Sequence, residues 1–348
     1  MPAEAKNKSA LRVLVLYNLA QADGVRPGRS FQESDAGVLE EVGSVTAALE
    51  SLGLDYRLEG IARLDDLPDV FSRGGEPVVF NLVEDFPGRS LEASAVPAVC
   101  RGYAKACTGN DTPCLTRALD KEEAKKALRA ARLACPQGFT VAAGQELNRR
   151  DLPEGLYIVK PLRTDASEGI NQQAVAPGSG RELEKAVQRV HERLGQPAVV
   201  ERFVGDRELN VSLLEVEGRI EVLPIAEIDF SAFPPQLHRI VDYSAKWRLD
   251  SFAYHHTPRL LPAPLPPKLA SRVRDQSLRA WKALGCRDYA RVDFRLEDSA
   301  SLLYILEVNP NPDIAPDGGF SAALGAAGIS FSRFVRILLD NALGRFPA

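Results

Sequence analysis

Arg291-Val292-Asp293-Phe294 and Leu306-Glu307-Val308-Asn309 are the stretches that decide how this chain is read. Both alternate polar and apolar residues, and residues two apart on a strand share a face. Arg291 and Asp293 therefore point one way, as do Glu307 and Asn309. The polar link Asp298–Ser301 joins strands at Tyr289–Leu296 and Leu302–Val308 into a hairpin, with Asp293 roughly opposite Glu307. Two carboxylates, a carboxamide and an arginine then converge on one sheet face. Carboxylates packed this closely repel by several kcal/mol at low effective dielectric unless a cation lies between them. Oxygen-only donors suit Mg²⁺, which commonly takes one or two carboxylates plus substrate phosphates. A solvated face with scattered charges is the plain alternative, because alternating charged strands are common.

Upstream features decide between these readings. Lys160 ends the apolar strand Gly155–Pro161, and the polar loop Arg163–Gly169 follows. A strand-end lysine beside such a loop can reach phosphate oxygens, and Gly169 permits close backbone approach. Next, Ala198–Val204 reads as a strand whose exit can offer main-chain groups to a purine edge, with Glu208 placed for ribose hydroxyls. A helix at Arg181–Leu194 lies between these two strands.

The rest of the chain frames them. Leu11–Tyr17 reads as a buried strand, Ser34–Leu52 as a helix with Val38, Leu39, Val42, Val45, Leu49 and Leu52 on its apolar face, and Ser34 or Asp35 as its cap. Strands at Leu54–Leu58 and Pro77–Val83 complete an open parallel sheet. Asp120–Ala134 reads as an amphipathic helix stopped by Pro136, its charges between Asp120 and Lys126 forming a solvated face. The five prolines of Pro258–Pro267 imply an irregular loop, followed by a helix at Leu269–Leu284 and a closing helix near Ser332–Leu343. The fold class is α/β with α+β elements, in three domains: an N-terminal Rossmann-like sheet over 1–119, a lid over 120–205 and a catalytic domain over 206–348.

Composition narrows the function. The 348 residues carry 43 Lys+Arg against 47 Asp+Glu, a formal charge of −4, which lacks the basic excess of a nucleic-acid or anionic-membrane binder. No apolar run approaches the roughly 18 residues of a membrane span. Five cysteines form an odd, sparse set that fits a reducing cytoplasm, with core or loop thiols and no zinc site. There is no GxxxxGK[ST], GxGxxG, GxSxG or HExxH, and only four histidines, with His255-His256 read as surface residues. Chemistry must rest on lysine, arginine and carboxylates.

The order Asp120-Lys121, Val159-Lys160-Pro161, Val200-Glu201-Arg202-Phe203 with Glu208, Arg291-Val292-Asp293 and Glu307-Val308-Asn309 resembles the ATP-grasp superfamily. Within it the pattern is similar to the D-alanine–D-alanine ligase family over nearly the whole chain. Thr108-Gly109, Ala245-Lys246-Trp247 and Ala327-Gly328-Ile329-Ser330 add to the likeness. The resemblance implies an ATP-grasp fold preceded by the Rossmann-like sheet. It also implies a carboxylate–amine ligase that forms an amide through an acyl phosphate. Lys121, Lys160, Ser167 and Lys246 would meet the ATP phosphates, Glu201, Arg202 and Val204 the adenine, and Glu208 the ribose. Asp293, Glu307 and Asn309 would hold two Mg²⁺ (or Mn²⁺) ions, Arg291 would steady the oxyanion, and Glu33 would anchor an incoming ammonium. Substrates would be small molecules, amino acids or a carboxylate and an amine, and a homodimer is compatible with the family.

Departures from the family pattern gather in the substrate pocket. Paired serines become Ala166-Ser167, the tyrosine after Ala-Lys becomes Trp247, a histidine becomes Asn81, and a glycine becomes Asp313. These imply altered substrates. A nucleotide-binding relative without ligase chemistry, acting as sensor or partner subunit, and a phosphotransferase that stops at the acyl phosphate are the other readings.

Overall fold

The structure, a computed structural model, describes residues 11–19, 32–86, 89–150, 152–164, 167–297 and 302–346, with side chains in the first helix described from residue 37. The N-terminal portion comprises β1 (Arg12–Asn18), α1 (Gln32–Ser51), β2 (Asp55–Ile61), α2 (Leu67–Ser72), β3 (Val78–Leu82), α3 (Ser90–Ala93), α4 (Val96–Gly102) and β4 (Ala106–Cys107). Its strands run in the order β2-β1-β3-β4, every pairing parallel, as the strand–helix–strand spacing implies. β3 is buried at every position, the mark of a parallel strand covered on both faces. Within α1, Val38, Val42, Val45 and Leu49 are buried, but Leu39 is 55% exposed. It sits one residue, about 100° of helix, away from the stripe. The helix starts at Gln32, so Ser34 and Asp35 fall inside it and do not cap it.

Two helices then lead into the middle of the chain, α5 (Thr112–Leu119) and α6 (Lys121–Ala130). Asp120 caps α6, its carboxylate accepting from the Glu122 and Glu123 amides. The helix stops at Ala130, four residues short of the expected end, because Arg132 turns to φ +57°. Pro136 is not the stop. Its charged face also divides: Lys126 meets Glu122 and Glu123 at the surface, whereas Lys121 and Lys125 are buried. The solvated-face reading fails for those two, since α6 lies against strands on that side.

A second sheet follows from β5 (Gly138–Val141), β6 (Leu156–Pro161), β7 (Val175–Pro177), α7 (Arg181–Leu194) and β8 (Ala198–Arg202). It is antiparallel in the order β5-β8-β6-β7, and Leu183, Ala186, Val187 and Val190 of α7 close its core. β8 ends at Arg202, before the expected Val204.

The third sheet is antiparallel. It uses β9 (Arg207–Val216), β10 (Arg219–Val222) and β11 (Ala226–Ile228), then, after α8 (Tyr243–Trp247) and α9 (Phe252–His255), β12 (Arg259–Leu260). After α10 (Pro267–Leu284) come β13 (Tyr289–Glu297) and β14 (Leu302–Asn309). The order is β12-β11-β9-β13-β14, with β10 on β9. The proline-rich stretch is therefore not wholly irregular. Arg259–Leu260 pairs with β11, and Pro267 opens α10, where a missing amide N–H costs nothing. The link Asp298–Ser301 lies outside the described residues.

The chain closes with α11 (Gly319–Ala326) and α12 (Phe331–Arg345), which share one apolar core with β1, β3 and α1. Gly109 fastens the same junction. At φ +81° its amide donates to Asp288 at 2.6 Å, and Asp288, fully buried, also binds Arg345. Among the described residues no single helix is long and apolar enough to cross a membrane.

Candidate active site

The centre of the site is the three-strand ladder β9-β13-β14. Asp293 stands opposite Asn210 on one side and Glu307 on the other, and Arg291 stands opposite Asn309. The convergence expected from the alternation is present, with a register shift just after Asp293. Arg291 donates to both Asp293 oxygens, at 2.7 and 2.8 Å, and the Asn210 amide adds a bond of 2.8 Å to one of them. Such a bidentate, buried pair pushes the Arg291 guanidinium up against the opposing effect of burial.

Glu307 is the electrostatic focus. Burial alone would raise its carboxyl, but Lys121, Lys246, Lys160 and Arg291 overcome that and bring it down to about 2. These four cations come from α6, α8, β6 and β13. α8 exists where it does because Asp242 caps it, accepting from the Ala245 amide at 3.0 Å. Lys121 is anchored by donating to the Thr164 carbonyl. Lys160 is 8% exposed, and burial lowers its ammonium, with Glu307 opposing and Lys121 reinforcing that shift. Asp293, Glu307 and Asn309 form a set of hard oxygen donors, with Glu307 ionised at neutral pH. That chemistry fits a divalent cation, although Arg291 occupies both Asp293 oxygens in this arrangement.

The residues expected at the adenine separate. Val204 and Arg202 line an open cleft of about 610 Å³ with Cys135, Gln137 and Tyr304. The Arg202 guanidinium lies 5.3 Å from the Tyr157 ring centre and donates to the Glu154 carbonyl. The Glu201 carboxylate points the other way, buried at 1% exposure, where it meets Lys125 and, at 3.5 Å, Lys160. Glu208 is paired with Arg295 at 3.3 Å, and burial pushes its carboxyl up. Arg295 also donates to the carbonyls of Gly205 at 2.8 Å and Arg239 at 2.6 Å, tying the exit of β8 to the central sheet.

The substrate-side residues are less complete. Ala166 and the Glu33 side chain lie outside the described residues. Ser167, at φ +59°, spends its hydroxyl on the Val241 carbonyl at 3.0 Å. Trp247 packs on α1: a Cβ at Gly37 would meet its ring at 3.2 Å. Asp313 accepts from the Ala315 amide at 2.7 Å and lies near Arg291. Asn81 is buried and accepts from the Val83 amide at 3.2 Å.

Sequence reading missed Glu41, Lys125 and Arg295. Glu41 is 4% exposed, accepts from the Ile314 amide at 2.7 Å, and is raised well above the carboxylate range by burial, Glu84 and Asp313. A signal existed, for Glu41 interrupts the apolar stripe of α1 between Val38 and Val45. Lys125 shows none beyond its four-residue spacing from Lys121. All five cysteines are free and buried, as expected of core thiols.

Comparison with known proteins identifies the family and the fold. Residues 145–340 match the family model described as D-ala D-ala ligase C-terminus. D-alanine–D-alanine ligase A of Mesorhizobium japonicum is 33% identical over 66% of this chain and 62% of its own length. The uncharacterized protein y4sG of Sinorhizobium fredii is 31% identical over 87% of each chain. The D-alanine–D-alanine ligase of Acidiphilium cryptum is 29% identical over 86% of this chain and 92% of its own. The crystal structure of a D-alanine–D-alanine ligase from Bacillus anthracis complexed with ATP superposes with a TM-score of 0.74 at 20% identity. It covers 97% of this chain and 98% of that one. With more than half of its length matched by the family model and its whole fold shared, the chain belongs to the D-alanine–D-alanine ligase family of ATP-grasp, ATP-dependent ligases.

Proposed function

We propose that the chain is an ATP- and Mg²⁺-dependent carboxylate–amine ligase whose substrate pair is not two D-alanines. The observation that carries this reading is the meeting of Lys121, Lys160, Lys246 and Arg291 around Glu307 beside Asp293. A carboxylate is a poor electrophile, so the γ-phosphate first converts it to an acyl phosphate. The amine then attacks, giving amide, ADP and phosphate. Lys121, Lys160 and Lys246 bind the phosphates and neutralise charge as it moves. Arg291 steadies the oxyanion of the tetrahedral intermediate, which requires it to release part of its pair with Asp293. Asp293, Glu307 and Asn309 would hold the divalent ions, whose chemistry is charge neutralisation at the transferring phosphoryl. Arg202 and Val204 border the base, and Glu208, once ionised, holds the ribose. The sheet of β5 to β8 acts as a lid that keeps water from the acyl phosphate.

The altered-substrate reading draws on Asp313, which lies near Arg291 and also beside the buried Glu41. A free carboxylate entering there meets repulsion, and a cationic amine meets attraction. The screen that tests the proposal is phosphate release from ATP and Mg²⁺ with pairs of amino acids, D-alanine included. Release that depends on both a carboxylate and an amine supports a ligase. ADP formed with a carboxylate alone, the phosphoryl staying on that carboxylate, would make it a phosphotransferase, and no turnover with any pair would favour a nucleotide-binding protein. A reducing cytoplasm suits its free thiols.

A further inference from the structure

Three buried side chains meet under α6: Lys125 from that helix, Lys160 from β6 and Glu201 from β8. The strands set up half of this. Lys160 stands opposite Val199 and Ile158 opposite Glu201, so Lys160 and Glu201 are diagonal neighbours on one face. The helix supplies the rest, because Lys125 follows Lys121 by one turn and lies on the same side. Side-chain exposures are 6% for Lys125, 10% for Lys160 and 1% for Glu201, so water screens none of the three well. One carboxylate thus faces two lysine side chains; burial and the neighbouring Lys160 push the Lys125 ammonium down, and the Glu201 carboxylate paired with it opposes that.

The two lysines are not equivalent. Lys125 is paired with one Glu201 oxygen, and Lys160 stands 3.5 Å from the other. Lys160 also feels the Glu307 and Glu208 carboxylates and is repelled by Lys121. Its ammonium is therefore shared between Glu201 and the Glu307 side of the site. A polyphosphate entering beside Lys121 and Lys246 needs Lys160 turned toward it. If Glu201 had no other partner, that turn would strand a buried carboxylate.

We infer that Lys125 is a positioning residue for nucleotide binding: by neutralising Glu201 it leaves Lys160 free to engage the phosphates. The inference rests on the nucleotide reading of Lys160 proposed above. It concerns phosphate capture alone, so its effect must scale with the number of phosphates and not with the base.

The test is binding of ATP and of AMP to the full-length chain by titration calorimetry, read as the ratio of the two affinities. Lys125→Met should lower ATP affinity roughly 100-fold while AMP changes by less than about threefold. Lys125→Arg, which keeps the charge, should hold the wild-type ratio. Glu201→Gln placed in the Lys125→Met background should restore the ratio, whatever it does to both affinities. Should Lys125→Met not fold, Glu201→Gln alone serves: it releases Lys160, so the ratio stays or rises, and a fall would overturn the inference. Equal loss of ATP and AMP in Lys125→Met, or no loss of either, would overturn it too. Lys160→Ala separates the two layers. If it leaves ATP affinity unchanged, the nucleotide reading itself fails. If it weakens ATP while Lys125→Met leaves the ratio unmoved, the nucleotide reading stands and only the role of Lys125 falls.

Discussion

Replacing Glu307 by glutamine is the most informative perturbation, because its effect on stability can be worked out from its surroundings. A carboxyl held at about 2 instead of its ordinary 4.5 contributes about 3 kcal/mol to folding at neutral pH. The sign follows from the direction: a depressed carboxyl stabilises above its unfolded value, and that stability fades as pH falls toward the folded one. About 2 kcal/mol of it should vanish between pH 5 and pH 3. Glutamine keeps the shape and the burial but removes the carboxylate that Lys121, Lys246, Lys160 and Arg291 share. Wild type should therefore exceed Glu307→Gln by roughly 1–3 kcal/mol in urea unfolding at pH 7, the lower figure allowing for the residue's partial exposure. The gap should narrow as the pH falls from 5 to 3. Ligation should also drop by about 100-fold or more at saturating Mg²⁺. A gap that stays constant through this range, or a variant as stable as wild type at pH 7, would refute the claim that these cations converge on Glu307. Unchanged turnover would refute its assignment as a metal ligand.

Three further outcomes are expected. Arg345→Ala leaves Asp288 buried without its bidentate partner, so urea unfolding should show a loss of about 3 kcal/mol or more, with the Gly109 amide bond too small to compensate; a loss below about 1 kcal/mol would contradict it. Amides between residues 125 and 204 should exchange faster without nucleotide than with it, since this small separate core must open for exchange of ligands; equal protection in both states counts against a lid. D-Alanine should be a poor substrate relative to basic or aromatic amino acids, and Asp313→Gly should improve its use by about tenfold. Efficient D-alanyl-D-alanine synthesis by the wild type would remove the altered-substrate proposal.

Much of this protein was legible in one dimension, because strand alternation is local. Period-two patterning and the short link between β13 and β14 put Asp293 roughly across from Glu307, and the ladder has that register; it also sets Arg291 across from Asn309. The apolar run of β1, the stripe of α1 and the amphipathic α7 were legible for the same reason: each records on which side an element is buried. The order of the motifs, a likeness to a known family and not a requirement of the chemistry, identified the family.

What the sequence by itself determined was thus the type and order of the elements and the residues that can do chemistry. The tertiary structure alone decided which charges meet. Lys125, Glu201 and Lys160 lie on a helix and two strands, far apart in sequence, and Glu41 reaches the Ile314 amide across 273 positions. Four cations gather on Glu307 from four different elements. A charged residue looks the same in sequence whether its face is wet or covered. Burial is what turns a surface lysine into a fixed partner, and burial depends on which elements pack together, a property no local pattern carries.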